Sequence, residues 1–435
     1  MSGKARVRGA ALLAVAAVVL AGCGDSGSDG GDGGTTPSGA LEGRGPIKFA
    51  TGKDTSGNMQ KLVDEWNGKH ADEKVEIVEL PEAADEQRNQ MIQNAQAKSK
   101  EFTILNLDVV WTAEFAANRW VVELPQDQFD LDNFLEPAVN TAKYRDKLYA
   151  VPVYSDGGLL YYRKDLLQAA GVAEPPKTWA ELKSACAKVK ATPAGKSVGC
   201  YAGQLDKYEG LTVNFSEAVQ SAGGSILDDS GKPTVDTQEA RDGLNFLVDG
   251  VKTKEIPDAA ITYKEEDGRR AFQAGQLLFH RQWPYQYAQA NATDGSSQVA
   301  GKFDVAPLPG KDGPGVSTLG GHNFAISAFA DNKATALDFI KFFTSEEAER
   351  SNLLATSQAP TRTNLYDDAA LVKQFPYLTT LKESILTAVP RPQAVKYGDV
   401  TAAMQEAAYG AMTGETSTDD ALKELQSKLE SLTAQ

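Results

Sequence analysis

The chain has 435 residues, which is enough for two domain-sized hydrophobic cores. With 41% hydrophobic and 24% charged residues, its composition is that of a globular protein and excludes a disordered or fibrous chain. The formal net charge is -15 and no basic run follows the N-terminal segment, so a nucleic-acid partner is not expected.

The N-terminal segment predicts export. Three basic residues precede the apolar residues 10–21, a run too short to span a bilayer comfortably, and this run ends in Leu20-Ala21-Gly22-Cys23. The ending resembles the lipobox of bacterial lipoproteins, in which the cysteine becomes the lipid-bearing first residue after cleavage. We therefore predict a lipoprotein signal peptide at residues 1–22 and lipidation of Cys23. A plain secretory signal or an uncleaved anchor is the alternative.

Residues 23–45 consist mainly of glycine, serine, aspartate and threonine and contain almost nothing to bury. They predict a flexible linker, and the folded part is expected to begin near Pro46. A lipid anchor with such a linker predicts a protein held on the extracytoplasmic face of the cell membrane that still reaches diffusing partners.

The other two cysteines, Cys186 and Cys200, are fourteen positions apart. In an exported chain, such a pair is consistent with one disulfide. Two buried free thiols are the alternative, because spacing alone does not fix the geometry that a disulfide needs.

The folded part opens with alternating strands and helices. Hydrophobic periodicity predicts, in chain order, a strand at 48–51, a helix from about Ser56, a strand at 74–80, a helix at 88–97, a strand at 102–110 and a helix at 112–120. Such alternation is typical of an α/β domain with a largely parallel sheet.

Asp108 and Trp111 lie at the end of the third predicted strand. Because ligands of open α/β sheets gather at strand ends, both residues are placed for contact with a ligand. The alternative makes Asp108 a helix cap and Trp111 a core residue.

Residues 151–167 predict two short strands separated by two glycines, the first strand broken by Pro152. The glycines leave room for a ligand to approach the backbone, so Tyr154 and Asp156 can face a cavity. A strand-turn-strand with a solvated aspartate is the alternative.

Further helices and strands follow. The predicted elements are a helix capped by Thr178 and Glu181, a helix through Phe215 that stops at Gly223-Gly224, a helix at 238–251, strands at 276–279 and 303–309, a strand fed by the loop at 317–326, a helix at 331–349 and a final amphipathic helix on Leu422, Leu425, Leu429 and Leu432. Trp283 and Tyr285 follow a strand end and flank a proline, which places both rings well for the apolar face of a sugar. Core packing is the alternative for either ring.

Together, several motifs resemble the extracellular solute-binding proteins (family 1) of bacterial ABC sugar importers, which include maltose- and trehalose-binding proteins. The similarity covers about residues 48–432. The motifs that carry it are Leu107-Asp108-Val109-Val110-Trp111 with Glu114-Phe115-Ala116, Gly158-Leu159-Leu160-Tyr161-Tyr162-Arg163-Lys164-Asp165-Leu166-Leu167, Tyr208-Glu209-Gly210-Leu211, Trp283-Pro284-Tyr285, Leu319-Gly320-Gly321 and Arg391-Pro392.

The resemblance implies an α/β, type II periplasmic-binding-protein-like fold, with two lobes joined by crossing hinge strands and a ligand cleft between them. Lobe 1 would comprise residues 46–153 plus 305–345, and lobe 2 residues 154–304 plus 346–435. The expected ligand contacts, from the matching motifs and the strand ends, are Arg88, Asp108, Trp111, Tyr154, Asp156, Trp283, Tyr285, Gly320, Gly321, His322 and Arg391. They suit a sugar because carboxylates accept hydrogen bonds from hydroxyls, arginines donate them and rings stack on pyranose faces.

Two departures from the family concern sugar contacts. Relatives often carry tryptophan after the glycine pair, where this chain has His322. Relatives of the trehalose and maltose type often carry a glutamate near the first helix, where this chain has Asp54, Thr55 and Ser56. The resemblance therefore does not fix the sugar. We hypothesise that His322 widens the pocket or meets a polar substituent, so that His322→Trp would change the affinity or the sugar preference.

The expected function is capture without catalysis. The lobes would bind a di- or oligosaccharide of the maltose, trehalose or maltodextrin class and deliver it to a membrane permease driven by a separate ATPase. The protein is expected to act as a monomer. The sequence has no Gly-x-x-x-x-Gly-Lys-Ser/Thr phosphate loop and only 3 histidines, so neither ATP hydrolysis nor a metal site nor a cofactor is expected.

Three other functions stay open. A lipid-anchored glycosidase could use Asp108 and Asp156 as its pair of carboxylates. Both are better explained as hydroxyl acceptors, and the expected site does not call for an acid of raised pKa. A binding protein for another polar solute, or a surface adhesin or sensor without a transporter, would share the fold.

Overall fold

The structure is a computed structural model that describes residues 41–54, 56–228 and 230–433. The predicted signal peptide at residues 1–22, Cys23 and most of the predicted linker at 23–45 lie outside the described residues. Within the described part, no helix is both long enough and apolar enough to cross a membrane.

The strands are short and are spread over the first three quarters of the chain. They are β1 Ile47–Thr51, β2 Val75–Glu79, β3 Ile104–Asp108, β4 Lys143–Tyr144, β5 Lys147–Leu148, β6 Ala150–Asp156, β7 Leu159–Tyr162, β8 Gly199–Ala202, β9 Leu277–Gln282, β10 Asp304–Ala306 and β11 Gly320–Ile326.

Helices alternate with these strands and then fill the C-terminal quarter. They are α1 Asn58–Lys69, α2 Ala84–Gln96, α3 Thr112–Ala117, α4 Glu136–Thr141, α5 Lys164–Ala169, α6 Trp179–Lys190, α7 Glu209–Ser221, α8 Gln238–Lys252, α9 Glu265–Gln273, α10 Gln286–Ala290, α11 Lys333–Phe343, α12 Glu346–Thr356, α13 Thr363–Asp367, α14 Ala369–Gln374, α15 Tyr377–Leu386, α16 Tyr397–Thr413 and α17 Thr418–Thr433. Short 3-10 turns lie at Gln126–Gln128, Leu131–Asn133 and Asp258–Thr262.

The first lobe is built on a sheet of five strands in the order β2-β1-β3-β11-β6. β1 runs parallel to β2 and β3, whereas β11 is antiparallel to both β3 and β6. Apolar residues of α1, α2, α3 and α11 pack with this sheet in one core. At its centre the rings of Phe49 and Phe324 have centroids 4.6 Å apart.

The second lobe is built on a sheet of four strands in the order β10-β7-β9-β8. Its core also takes apolar residues from α6, α7, α8, α15, α16 and α17. α7 is buried from Glu209 to Gln220, because it packs against both α8 and α16. A helix buried on all sides is held by its surroundings, so its N-terminus is a rigid place for a functional side chain.

The chain crosses between the lobes at residues 157–158, which join β6 to β7, at 307–319, which join β10 to β11, and along α12, whose Ala348 packs in the first core and whose Leu353 packs in the second. The first two crossings come later than the predicted boundaries. β6 stays paired in the first sheet as far as Asp156, and Val305 is paired with Tyr161 in the second sheet. Hydrogen bonding along each strand therefore sets these two crossing points.

Two predicted elements differ from the structure. β6 runs straight through Pro152, because β6 is the edge strand of its sheet and carries a bulge next to the proline, where the extra residue Val153 shifts its pairing with β11. The helix predicted at 331–349 is two helices, α11 and α12, because the Ser345 hydroxyl accepts a hydrogen bond from the Ala348 N–H and caps the second one.

The disulfide predicted between Cys186 and Cys200 is present, with the two Cα atoms 5.6 Å apart, and it joins α6 to β8 in the second core. We expect the Cys186→Ser/Cys200→Ser variant to lose about 2–3 kcal/mol of unfolding free energy, since the link restricts an unfolded loop of roughly 15 residues. Urea unfolding of the variant and of the wild type, each with and without reductant, measures this loss. A variant that matches the oxidised wild type would show that the link contributes nothing.

Candidate functional site

A cavity of about 330 Å³ lies between the two lobes. Its first-lobe wall comes from the carboxyl ends of β1, β3 and β6 and from the start of β11. Its second-lobe wall comes from the N-termini of α7 and α9 and from the segment that follows β9. Strand ends and helix N-termini supply backbone N–H groups and polar side chains at fixed positions, so this is a favourable place for a polar ligand.

Nine of the residues predicted as ligand contacts line this cavity: Asp108, Tyr154, Asp156, Trp283, Tyr285, Gly320, Gly321, His322 and Arg391. The first sheet brings several of them together, since β11 lies between β3 and β6. His322 pairs with Asp108 on one side and with Tyr154 on the other, and Gly320 pairs with Asp156. Their contact with a ligand stays a prediction.

The other two predicted contacts do not line the cavity. Trp111 is 1% exposed and packs in the first core with Phe115, because the chain turns back after β3 and starts α3. Arg88 on α2 donates two hydrogen bonds to Glu114, with Nε 2.8 Å from Oε2 and Nη2 2.5 Å from Oε1. Its guanidinium is therefore engaged by a neighbouring helix of the same lobe.

An ion cluster joins the lobes at one side of the cavity. Arg391, which precedes α16, donates to Asp108 at the end of β3, with Nη2 2.6 Å from Oδ1 and Nη1 3.2 Å from Oδ2. The same Nη1 donates to Glu209 at the start of α7, at 2.5 Å from Oε1. The Arg391 side chain is 2% exposed, so one buried cation neutralises carboxylates of both lobes.

Glu209 is the most heavily bonded member of this cluster. Its carboxylate also accepts hydrogen bonds from the Tyr397 hydroxyl and, at 2.7 Å, from the Thr401 hydroxyl. Its backbone N–H donates to Asp85 of the first lobe at 2.8 Å. Burial raises the pKa of Glu209, and Arg391 opposes this rise.

Asp156 contrasts with Glu209. Among the described residues, its carboxylate accepts no hydrogen bond, and the side chain lines the cavity. Burial raises the pKa of Asp156 to about 7, although Arg281 opposes the rise. This shift is contrary to the expectation that the site holds no acid of raised pKa. A ligand hydroxyl would give this carboxylate the donor that it lacks.

Trp283 and the glycine pair meet across the cleft. A side chain at Gly320 would place its Cβ 2.8 Å from the Trp283 ring, so only glycine allows this close approach. Gly321 has a φ of +115°, a conformation that other residues rarely adopt. Tyr285 donates its hydroxyl to Glu266 Oε1 at 2.8 Å, which fixes the tyrosine ring on α9.

His322 lies in the first-lobe wall, and its ring centroid is 4.9 Å from that of Tyr154. Burial lowers the pKa of His322 to about 4, so the imidazole is neutral at pH 7. Its Nδ1 is buried and has no hydrogen-bond partner among the described residues.

Several polar residues of the cavity wall were not among the ligand contacts predicted from the sequence. These residues are Glu82, Gln87, Asn106, Glu209, Glu265, Glu266, Arg270, Gln289, Asn352 and Gln358. Glu209 lies in the motif Tyr208-Glu209-Gly210-Leu211, and a carboxylate is favoured in the first turn of a helix. Asn352 and Gln358 come from α12 and the segment after it, and no local pattern distinguishes them from surface residues.

No group of three or more histidine, cysteine, aspartate or glutamate residues in the described part of the chain could hold a metal ion. What the cavity wall offers is carboxylates, amides, aromatic rings, Lys53 and two arginines, Arg270 and the Arg391 of the ion cluster. These groups can exchange hydrogen bonds with many hydroxyls and stack on an apolar face.

Residues 51–350 match the family of bacterial extracellular solute-binding proteins. A probable ABC transporter-binding protein of Deinococcus radiodurans is 34% identical over 378 residues, 85% of this chain and 89% of that protein. A mannitol-binding protein of Pseudomonas aeruginosa is 26% identical over 351 residues, 78% of each chain. The solved structure of maltose-bound MalE3 from T. maritima is 34% identical, has a TM-score of 0.84 and covers 89% of this chain and 99% of its own.

These likenesses confirm the predicted two-lobed, periplasmic-binding-protein-like fold. They also explain why the cavity lies between the two lobes, since such proteins close around their ligands. The chain therefore belongs to the family of bacterial extracellular solute-binding proteins.

Proposed function

We propose that this protein captures a di- or oligosaccharide of the maltose, trehalose or maltodextrin class and delivers it to the permease of an ABC importer. The observation that carries the proposal is the cavity between the lobes, where the Trp283 ring, the Asp156 carboxylate and the ion cluster around Arg391 all form part of the wall. The maltose in the T. maritima structure and the name of the P. aeruginosa relative support a ligand with many hydroxyls.

The sugar would be held by complementary contacts. Its apolar face would stack on Trp283, one hydroxyl would donate to Asp156, and further hydroxyls would meet the amides and carboxylates of the wall. Closing the lobes then removes the bound sugar from water, which strengthens each of these hydrogen bonds.

In this proposal the sugar leaves unchanged. The carboxylate of raised pKa, Asp156, has a counterpart in Asp108, but both oxygens of Asp108 accept hydrogen bonds from Arg391. A carboxylate held in this way is a poor nucleophile or base, so hydrolysis of a glycosidic bond does not suit this pair. Incubation with the bound sugar should return it intact, as chromatography of the products would show.

The proposal places the protein at the cell surface. Lipidation of Cys23 would hold a single copy on the extracytoplasmic face of the membrane, and the predicted linker would let the lobes reach both free sugar and permease. Mass spectrometry of the mature N-terminus tests the lipid, and deletion of the gene with measurement of sugar uptake tests the transporter role.

Calorimetric and tryptophan-fluorescence titration tests the proposed ligand directly. The panel is trehalose, maltose, maltotriose, sucrose, cellobiose, glucose and mannitol. Binding with a dissociation constant near 1 μM, about -8 kcal/mol, to one glycosidic linkage class is the expected result. Binding of mannitol alone would replace the sugar with a polyol, and no binding across the panel would overturn the proposed ligand class.

The raised pKa of Asp156, about 7, predicts a pH dependence of sugar binding. A sugar hydroxyl donates best to the ionised carboxylate, so we expect the affinity to fall about tenfold from pH 8 to pH 6, and Asp156→Asn to remove most of this dependence. Stability of the free protein should change in the opposite direction. The folded carboxyl keeps its proton up to about pH 7 and the unfolded one only up to about pH 4, so this group stabilises the fold as pH falls between them.

Calorimetry and urea unfolding of wild type and Asp156→Asn between pH 5 and pH 8 measure both effects. The comparison is needed because burial also raises the pKa of Glu209. If the two proteins share one pH profile, Asp156 is not the group that a sugar meets.

A further inference from the structure

A buried ion pair lies behind the cavity in the second lobe. Arg281 on β9 is 0% exposed and donates to Glu217 on α7 through two hydrogen bonds, with Nε 2.7 Å from Oε2 and Nη2 2.5 Å from Oε1. Its third nitrogen, Nη1, donates to Gln204 Oε1 at 3.0 Å. A buried pair of this kind adds little stability compared with apolar residues of the same size, so its presence calls for another explanation.

Arg281 of this pair stacks against one face of the Trp283 ring. The Arg281 guanidinium carbon is 3.7 Å from the centroid of that ring, which is stacking distance for a planar cation on an indole. Gly320 meets the ring from the first lobe. Because Arg281 is itself fixed by Glu217 and Gln204, one face of Trp283 is held by groups that do not line the cavity with it.

The same pair reaches two of the segments that cross between the lobes, residues 157–158 and 307–319. Glu217 Oε1 accepts a hydrogen bond from the Thr318 N–H at 3.1 Å, in the crossing that precedes β11. The Ser317 hydroxyl lies 3.4 Å from the same oxygen and accepts the Gly158 N–H, in the other crossing, at 2.6 Å. A Cβ at Gly158 would lie 2.8 Å from both Arg281 Nη2 and Glu217 Oε1, so the crossing needs glycine there.

We propose that Arg281 and Glu217 are positioning residues of the sugar site: they hold Trp283 as the stacking surface and connect it to these two crossings. This inference rests on the proposed function, since it takes Trp283 as the surface that meets the sugar. Through this connection, the ring keeps one orientation relative to the hinge of the protein. A ligand then meets a preorganised surface and does not have to order the ring on binding.

The test removes both charges and keeps the hinge hydrogen bond. In the variant Arg281→Met/Glu217→Gln, methionine fills the space of arginine, and the glutamine oxygen can still accept from the Thr318 N–H.

The five tryptophans are labelled with 5-fluorotryptophan, and Trp283→Phe identifies the ¹⁹F resonance of Trp283. We expect one narrow Trp283 resonance in the wild type and a shifted and broadened one in the variant. Sugar affinity should fall about tenfold, mainly through faster dissociation, while the unfolding midpoint stays near that of the wild type.

A matched control is Arg163→Met/Asp165→Asn, because Arg163 also donates two hydrogen bonds to a carboxylate in the second lobe but does not line the cavity. It should leave both the Trp283 resonance and the sugar affinity unchanged. Should the double variant of the ion pair fail to fold, Arg281→Lys gives the same readouts, since lysine keeps the charge but cannot stack as a plane or bond through two nitrogens.

An unchanged Trp283 resonance, or a changed resonance with wild-type affinity, overturns the proposal. The resonance does not depend on sugar. If the wild type binds no member of the sugar panel, the proposed ligand class fails, and the resonance still decides whether the ion pair holds the ring.

Discussion

The Arg391→Ala variant is expected to lose sugar affinity by about 100-fold or more and to become less stable. Arg391 is 2% exposed and is the cation between Asp108 and Glu209, and its removal leaves two buried carboxylates facing each other across the cleft. Removing one partner from a buried ion pair costs about 3–5 kcal/mol, because the remaining charge is neither paired nor hydrated. Opening of the lobes relieves this cost by letting water reach both carboxylates.

The free energy of closing the lobes should therefore change more than the free energy of unfolding. Calorimetry with the sugar identified by the panel gives the loss of affinity, urea unfolding gives the loss of stability, and small-angle X-ray scattering shows whether the free protein is more open. The control is Arg350→Ala, which removes a half-exposed arginine paired with Asp368 and Glu346 and should cost about 1 kcal/mol or less. An Arg391→Ala protein that binds sugar as the wild type does and unfolds at the same urea concentration would show that the cluster does not hold the lobes together.

The sequence predicts the local structure well where residues that are close in the chain determine it. Thr178 and Glu181 predicted a capped helix, and the structure has the complete capping box, with both reciprocal hydrogen bonds at the start of α6. The glycines after Asp156 predicted a side chain facing a cavity, and the carboxylate does line it. In both cases the residues that determine the geometry are neighbours in the chain.

Long-range pairing explains most of what the sequence did not predict. Taken alone, Pro152 predicts a break in the strand, but the position of β6 at the sheet edge and the bulge next to the proline allow the strand to continue. Trp111 follows a strand end, as a ligand contact would, yet the turn into α3 directs it into the first core. The cluster of Asp108, Glu209 and Arg391 joins residues up to 283 positions apart, so no local pattern could show that they meet.

Long-range contacts also limited what the sequence could predict about the C-terminal helices. The helices α13 to α16 were not predicted, and α16 contributes Tyr397 to the first core although most of its buried residues belong to the second. This single residue also donates to Glu209 in the ion cluster. A helix shared between two cores has no single apolar stripe, and periodicity is a weak guide to it.

The Trp283→Ala variant is expected to reduce sugar affinity by about 100-fold, close to 2.7 kcal/mol, with little change in stability. The ring lines the cavity, so its loss removes the apolar surface on which a pyranose would stack and leaves water in its place. Trp283→Phe keeps a smaller ring in the same position and should lose about tenfold. Calorimetry of both variants with the identified sugar measures these losses.

Trp179→Phe is the matched control, because Trp179 is also a tryptophan of the second lobe but stacks on Phe246, at 4.5 Å between centroids, and does not line the cavity. It should leave the affinity unchanged and keep the fluorescence response to sugar, whereas Trp283→Phe should abolish most of that response. If Trp283→Ala binds within threefold of the wild type, the sugar does not stack on this ring. The arginine behind it would then be a structural group of the second lobe, and the hydrogen-bonding side chains of the wall would have to carry the affinity.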